Sequence, residues 1–351
     1  MEKHVFVAMS GGVDSSVAAV LLQQAGYRLS GVNLRMFRAE DSWGVQRDAE
    51  DAGLVAQRMG FPFHVLDFAP IFRERVICNF IEEYQRGRTP NPCVECNRNV
   101  KFGALLERAR EMGADYLATG HYAQVDYDES SGRYLLKRGA DRSKDQSYFL
   151  YMLTQDQLAH ILFPLGGLRK DEVRCIAEEH GLVNAKKRDS QDICFVPNGK
   201  YADFIERTTG EISPPGPYLD EEGRVLGQHK GLIRYTRGQH KKLGISTERP
   251  MYVLEKDVDT NSIRLGPDSA LWEESLVAEK VNWISIPNLT APIRVTAKTR
   301  YSQREAAATV SLLPEGRVCV VFDEPQRAIT AGQAVVFYDG ETVVGGGMIC
   351  R

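Results

Sequence analysis

The chain has 351 residues, 43% hydrophobic and 26% charged, with a formal net charge of -3. The composition is that of a soluble globular protein, the charge excludes a globally basic nucleic-acid coat, and no apolar run approaches membrane-spanning length. The length predicts two or three domains, and a local basic surface remains compatible with a structured RNA partner.

The N-terminus, MEKHVFVAMSGG, has only a short apolar run and no cleavage-site pattern, so it reads as a first strand. HVFVAM (4–9) is followed by the helical periodicity of SSVAAVLLQQAG (15–26). LSGVNLRMF (29–37) and PFHVLDF (62–68) flank the amphipathic DAEDAGLVAQRMG (48–60). PIFRERVICNFIEEYQRG (70–87) opens on proline and closes on glycine, as a helix does. VKFGALLERAREMG (100–113) reads as helix and DYLATGH (115–121) as strand. Strands alternating with helices predict a parallel sheet covered on both faces, with a ligand at the C-terminal strand ends. AQVDYDESSGRYLLKR predicts a hairpin, then TQDQLAHILF and RKDEVRCIAEEHG predict helices. Beyond ISPPGPY (212–218) the composition changes to short strands with frequent glycines, and from about residue 276 it reads as all-β, a small barrel. The expected fold is α/β: a Rossmann-like parallel-sheet domain (1–205), a small central domain (206–275) and a C-terminal β-barrel (276–351).

AMSGGVDSS (8–16) lies between the first strand and the first helix, where backbone amides and a helix N-terminus hold phosphate. Gly11 and Gly12 permit a tight turn, and Ser10, Ser15 and Ser16 add hydroxyls. The lysine and spacing of the P-loop are absent, and so is G-x-G-x-x-G. SGGVDSS resembles the pyrophosphate loop of the PP-loop ATP pyrophosphatase superfamily, whose members transfer AMP and release pyrophosphate. That resemblance implies ATP and Mg2+, with Asp14 near the magnesium-bound pyrophosphate. The alternative is a glycine turn with no ligand.

TPNPCVECNRNVKF (89–102) holds Cys93 and Cys96 three positions apart. A disulfide, a redox pair, a metal half-site and a nucleophile all fit that spacing. Structural zinc needs two more ligands, and there is no second C-x-x-C. A following helix with Arg98 and Lys101 in its first turns predicts a lowered pKa and a Cys96 thiolate at neutral pH. Cys194, in KKRDSQDICFVPNG, is flanked by basic and acidic residues. Cys78, Cys175 and Cys319 lie in periodic apolar segments and read as core thiols; Cys350 reads as incidental. Seven cysteines without the density of a secreted scaffold predict a reducing, cytoplasmic setting.

SGGVDSS, GRTPNPCVECNRNVKFG, ATGHYA, KDQSYFLY, AKKRDSQDICF, GQHKGL, YTRGQHKKLGI, KTRY and VFDEPQRAITAGQAVVFYDG run in order through the chain. In this the sequence resembles the tRNA-specific 2-thiouridylase family. The resemblance implies a transferase that adenylates the 2-oxygen of a tRNA wobble uridine and replaces it with sulfur. It implies Cys96 as catalytic nucleophile and Cys194 as persulfide carrier, the two forming a disulfide after transfer. ATP contacts fall on Ala8, Met9, Ser10, Gly11, Gly12, Val13, Asp14, Ser15, Leu34 and Gly120. tRNA contacts fall on Asn91, Pro92, Cys93, His121, Lys144, Asp145, Gln146, Arg300, Tyr301 and Gln333. Implied partners are tRNAs of the Lys, Glu and Gln acceptors and an upstream sulfur-donor protein.

The basic clusters Lys186–Lys187–Arg188 and Arg237–His240–Lys241–Lys242 suit phosphate contacts, and Tyr122 and Tyr301 suit base stacking. Two positions depart from the family pattern: Cys93, often aspartate, and His240, often arginine. Cys93, Cys96 and Cys194 are also a ligand set for a [4Fe-4S] cluster, so a cluster route stands beside the favoured persulfide route. Alternatives of other classes are a different AMP-forming PP-loop enzyme and a non-catalytic tRNA-binding or redox module.

Overall fold

The computed structural model describes residues 2–37, 45–185, 187, 193–196 and 199–350. Its first sheet is built from β1 (His4–Ala8), β2 (Arg28–Arg35), β3 (Phe63–Asp67) and β4 (Tyr116–Ala118). A hairpin follows, β5 (Ala123–Asp128) and β6 (Arg133–Arg138), and then β7 (Ile161–Leu162). The strand order is β3-β2-β1-β4-β7, with every pairing parallel. β1 is buried on both faces. Val5 and Val7 pack with the helix Val13–Gln24, and Phe6 packs into the cluster formed by the helices on the other side. Such two-sided burial explains why β1 reads as a continuous apolar run rather than an alternating one. The chain leaves β1 for β2 on one side and reaches β4 on the other. The crevice at the C-terminal end of β1 is therefore a topological switch point, where ligands bind in open α/β sheets.

Three local expectations change. HILF continues no helix: the helix Gln155–Ala159 ends and β7 adds Ile161 and Leu162 to the sheet beside Leu117 and Ala118. The helix predicted from residue 100 begins at Pro92 and runs to 111, with a π-helical stretch at Cys96–Ala104. A further helix, Tyr201–Thr209, precedes the Pro/Gly stretch.

Strands β8 (Gly216–Leu219), β9 (Val225–His229), β10 (Tyr252–Asp257) and β11 (Ser262–Gly266) form a four-stranded sheet of order β10-β11-β8-β9. It has its own small core around Tyr218, Val253, Ile263 and Leu265. The last strands are β12 (Trp272–Trp283), β13 (Ile293–Lys298), β14 (Ala306–Leu312), β15 (Val318–Arg327), β16 (Ala334–Asp339) and β17 (Thr342–Ile349). They run β12-β15-β14-β13-β16-β17, and a β12–β17 pairing closes a six-stranded barrel. Closure removes the exposed edges of the sheet. β6 pairs with β17, so the N-terminal hairpin extends the barrel sheet. Gly346 of β17 also packs closely on the N-terminal domain: a Cβ there would stand 2.6 Å from the ring of Tyr151.

Candidate nucleotide and sulfur-transfer site

The loop after β1 is a preformed turn. Gly11 has φ +72°, a conformation glycine adopts without cost. A side chain there would meet the carbonyl oxygen of Asp48 at 2.2 Å, so the loop lies against the helix Val45–Met59. Gly12 caps the helix Val13–Gln24 with no side-chain hydrogen bond of its own, leaving the first helical amides for a ligand. Ser10 is exposed. The Ser15 and Ser16 hydroxyls turn inward and donate to the Gly12 carbonyl, each at 3.1 Å. They shape the loop instead of presenting donors to phosphate. Met9 is buried, its carbonyl accepting from Asn33 Nδ2 at 2.7 Å, and Leu34 stands half-buried at the end of β2.

Asp14 accepts from Tyr122 Oη at 2.8 Å and from Lys170 Nζ at 2.6 Å. Tyr122 is 2% exposed, so it cannot stack on a base; it orients Asp14. Gly120 lies against this helix start, where an added Cβ would be 2.8 Å from Ser15 N. The loop, its free first-turn amides and Gly120's close approach fit a polyphosphate. Neither Asn33 nor Lys170 is distinguishable in the sequence, beyond the oddity of an asparagine inside a buried strand.

Cys93 and Cys96 do not precede their helix but lie within it. Pro92 occupies the first helical position, and Asn91 caps it by accepting from Cys93 N at 3.2 Å. The i, i+3 spacing then places both sulfurs on one side. Cys194 joins them. Its thiol is perturbed by both Cys96 and Cys93, and Lys101 acts on all three. The anchor is Phe195, 2% exposed and edge-on to Phe72 and Phe80, which fixes the end of the Cys194 segment beside the helix at 92–111.

The electrostatics reverse the expected Cys96 thiolate. Burial pushes the Cys96 thiol up and outweighs the opposing pull of Lys101. The reason is positional: Cys96 is buried a full turn inside the helix, away from its amide-rich end. Cys93 and Cys194 show surface to solvent yet sit deep among protein atoms. Burial raises both, Cys194 to about 12. All seven cysteines are free. The three thiols lie near enough for Cys194 to be perturbed by the other two. Even so, among the described residues no three His, Cys, Asp or Glu side chains are arranged to hold a metal ion. The core reading of the other thiols is corrected: Cys78 and Cys175 are exposed on their helices and Cys319 is half-buried. Cys350 Sγ donates to Val277 O at 3.3 Å.

The residues expected to face RNA divide into scaffold and surface. His121 is buried, bonded through Nδ1 to Thr119 Oγ1 at 2.6 Å, and burial followed by Lys101 drives its pKa well below the usual histidine value. Asp145 is buried and accepts from Gly139 N and from Ser147 N and Oγ; Gln146 Oε1 accepts from Tyr122 N at 3.0 Å. Arg300 Nη2 donates to Ala328 O and Thr330 Oγ1, and Gln333 Nε2 donates to Thr89 O at 2.7 Å. Tyr301 stays 38% exposed, its ring 4.5 Å from that of Phe149, beside the loop that carries Lys144. Arg237 is committed to Glu273 at 2.8 Å and to Ile329 O, while Lys241 and Lys242 are exposed. Lys187 pairs with Asp48 and Asp51 rather than presenting itself to phosphate; Lys186 and Arg188 lie outside the described residues.

A parallel sheet with a glycine-rich anion loop at its switch point, followed by two β domains, defines a nucleotide-binding α/β protein with appended barrels. The family models agree: residues 3–198 match the tRNA methyl transferase HUP domain, 202–267 the tRNA methyl transferase PRC-barrel domain and 273–349 the aminomethyltransferase beta-barrel domain. The chain is 48% identical to the tRNA-specific 2-thiouridylase MnmA of Clostridioides difficile, over 99% of this chain and 98% of that protein. It is 48% identical to that of Acetivibrio thermocellus, over 99% of each, and 50% identical to MnmA 2 of Caldanaerobacter subterraneus, over 100% and 99%. The chain belongs to the tRNA-specific 2-thiouridylase family. Among solved structures, the U34-tRNA thiolase NcsA from Methanococcus maripaludis with its [4Fe-4S] cluster aligns with a TM-score of 0.36 and 19% identity. That alignment spans 59% of this chain and 67% of that one, too loose a likeness to bear on the site.

Proposed function

We propose that the chain is an ATP-dependent tRNA sulfurtransferase that converts the wobble uridine of Lys, Glu and Gln acceptor tRNAs to 2-thiouridine in the cytoplasm. The observation that carries this reading is the placement of Cys93 and Cys96 one turn apart on a single helix, electrostatically coupled to Cys194, in the same domain as a glycine-rich loop at a helix start. The loop at 8–15, with Leu34 and Gly120, holds ATP and its Mg2+. The uridine 2-oxygen attacks the α-phosphorus and pyrophosphate leaves. This turns a poor leaving group into AMP.

A persulfide on Cys194, loaded by a sulfur-donor protein, supplies the nucleophile. Its terminal sulfur adds to C2 and AMP departs. The Cys96 thiolate takes the inner sulfur, and the electrons of the cleaved S–S bond pass to the transferred sulfur. The Cys96–Cys194 disulfide that remains requires an external thiol reductant. Burial of Cys96 limits water at the adenylate, and Lys101 partly opposes the penalty that burial places on ionisation of the thiols. Asn91, Pro92, Cys93, Lys144, Arg300, Tyr301 and Gln333 line the approach of the tRNA, with His121, Asp145 and Gln146 supporting it from behind.

The test combines anaerobically prepared protein with ATP, magnesium, a persulfide donor and unmodified tRNA, reading 2-thiouridine and pyrophosphate. Cys96→Ser and Cys194→Ser are expected to retain ATP binding and lose thiolation. Full thiolation by Cys96→Ser would overturn the reading. Iron-free protein that is active with the persulfide donor supports the persulfide route; activity that follows iron content supports the cluster route.

A further inference from the structure

The chain that leads into the helix carrying Cys93 and Cys96 is held from outside its own domain. Both polar main-chain groups of Thr89 are taken by the turn before β16. Thr89 N donates to Ala331 O at 3.0 Å, and Thr89 O accepts from Gln333 Nε2 at 2.7 Å. Gly332 lies against the same peptide: an added Cβ would stand 3.0 Å from Arg88 Cβ and 3.1 Å from Thr89 N. The turn is itself fixed in the barrel. Gly332 N donates to Ile349 O and Ile349 N donates to Gln333 O, each at 2.8 Å. Arg300 Nη2 braces it further, through Ala328 O at 2.9 Å and Thr330 Oγ1 at 2.6 Å.

Between Thr89 and the cysteines the backbone has little freedom. Pro90 and Pro92 are both buried, and a proline ring locks φ at about -65°. Thr89 and Asn91 each precede a proline, which confines such residues to extended backbone. Asn91 sits at φ -112°, ψ 94°, with its side chain accepting from Cys93 N. A flexible linker would absorb a shift of the Thr89 peptide. This strut carries it to the first turn of the helix, where Cys93 stands, and to Cys96 one turn further on.

We propose that Gln333 is a positioning residue for sulfur transfer: by holding Thr89 across the domain boundary it sets, through Pro90–Asn91–Pro92, where Cys96 meets the sulfur. The barrel is thereby a working part of the sulfur-transfer site, apart from any contact it makes with RNA. This rests on the reading of Cys96 as the thiol that takes the inner sulfur of the persulfide, and the experiment separates the two. When Cys96 is misplaced, transfer slows and water competes for the adenylate. Water adds to C2, AMP leaves and uridine is regenerated, so pyrophosphate is released without 2-thiouridine.

The full chain is combined with ATP, magnesium, a persulfide donor and unmodified tRNA, and the 2-thiouridine formed per pyrophosphate released is measured. Unfolded protein or a lost tRNA contact lowers both products alike, so the ratio reports the transfer step. Gln333→Met keeps the side-chain length without the donor and is expected to lower the ratio about fivefold, the weight of one neutral hydrogen bond. Pro90→Gly frees the strut and is expected to lower it as well. In that background Gln333→Met is expected to add less than about twofold, because a flexible link no longer carries the clamp. Should Gln333→Met fold poorly, Gln333→Asn, one methylene shorter, takes its place with the same expectations. A ratio unchanged by loss of the Gln333 donor overturns the proposal. So does an equal effect of Gln333→Met with and without Pro90→Gly, which would mean that the clamp acts by another route. Undiminished 2-thiouridine from Cys96→Ser overturns the Cys96 reading itself, and the proposal with it.

Discussion

Replacing Gly120 with alanine puts a single methyl between β4 and the nucleotide loop. The new carbon would lie 2.8 Å from the carbonyl carbon of Asp14, 2.8 Å from Ser15 N and 3.0 Å from Asp14 Cβ. Carbon atoms pack at about 3.5 Å or more, so the overlap is roughly 0.7 Å. The atoms it meets are mostly backbone at a helix start and cannot rotate away, so the helix Val13–Gln24 or the turn after β4 must move. Overpacking of this kind costs about 1–3 kcal/mol of stability. Displacing even one loop amide from a phosphate oxygen forfeits a charge-assisted hydrogen bond worth about 1.5–3 kcal/mol, or roughly 10- to 100-fold in ATP affinity. Calorimetric ATP binding and pyrophosphate release measure the effect. Gly167→Ala is the control, since its Cβ meets nothing within 4 Å. A Gly120→Ala protein that folds and binds ATP within about twofold of the unmodified chain would refute the claim that this contact positions the loop.

Lys101→Met removes the cation that opposes burial at Cys93, Cys96 and Cys194, so all three thiols ionise at higher pH. The alkylation rate of Cys194 at pH 8 should fall several-fold, and an unchanged pH profile would contradict the assignment. His121 is buried and neutral, with a folded-state pKa well below 6.5. The unfolded chain then binds its proton first, so this contribution to stability is complete above about pH 6.5. Below that pH it is lost toward the folded pKa, at up to about 1.4 kcal/mol per pH unit. Urea midpoints at pH 7.5 and 5.5 should differ less in His121→Gln. Arg138, 8% exposed along its side chain, pairs with Glu305, donates to Gly340 O and lies 3.7 Å over the Tyr338 ring. Arg138→Met should destabilise the hairpin–barrel junction by about 3 kcal/mol, seen as a lowered melting temperature and faster proteolysis in β5–β6.

Several features were legible without coordinates because their causes are local. The loop at 8–16 is dictated by two adjacent glycines between an apolar run and a helical period, and Gly11 takes its left-handed φ for that reason. The barrel strands show as alternating β-branched runs between turn residues. Asn91-Pro92 is itself a helix-start signal, and it places Cys93 and Cys96 inside the helix rather than before it.

Other features depend on groups remote in sequence. β7 exists because Leu117 and Ala118 offer an unpaired edge, which a period count over TQDQLAHILF does not register. Tyr122 looks like a stacking ring until its hydroxyl is found on Asp14, 108 positions away. The thiol pKa values follow the same rule. Basic neighbours in sequence argue for a thiolate, but desolvation depends on every atom that folding brings around the sulfur, and it prevails at Cys96 and Cys194. The sequence by itself determined the motifs, the order of the strands along the chain and the identity of the reactive side chains, because backbone preferences and spacing act between near neighbours. Only the tertiary structure decided which of those side chains are buried, which are paired, and that Cys194, Cys96 and Cys93 act electrostatically on one another, because burial and Coulomb interaction depend on distance in space.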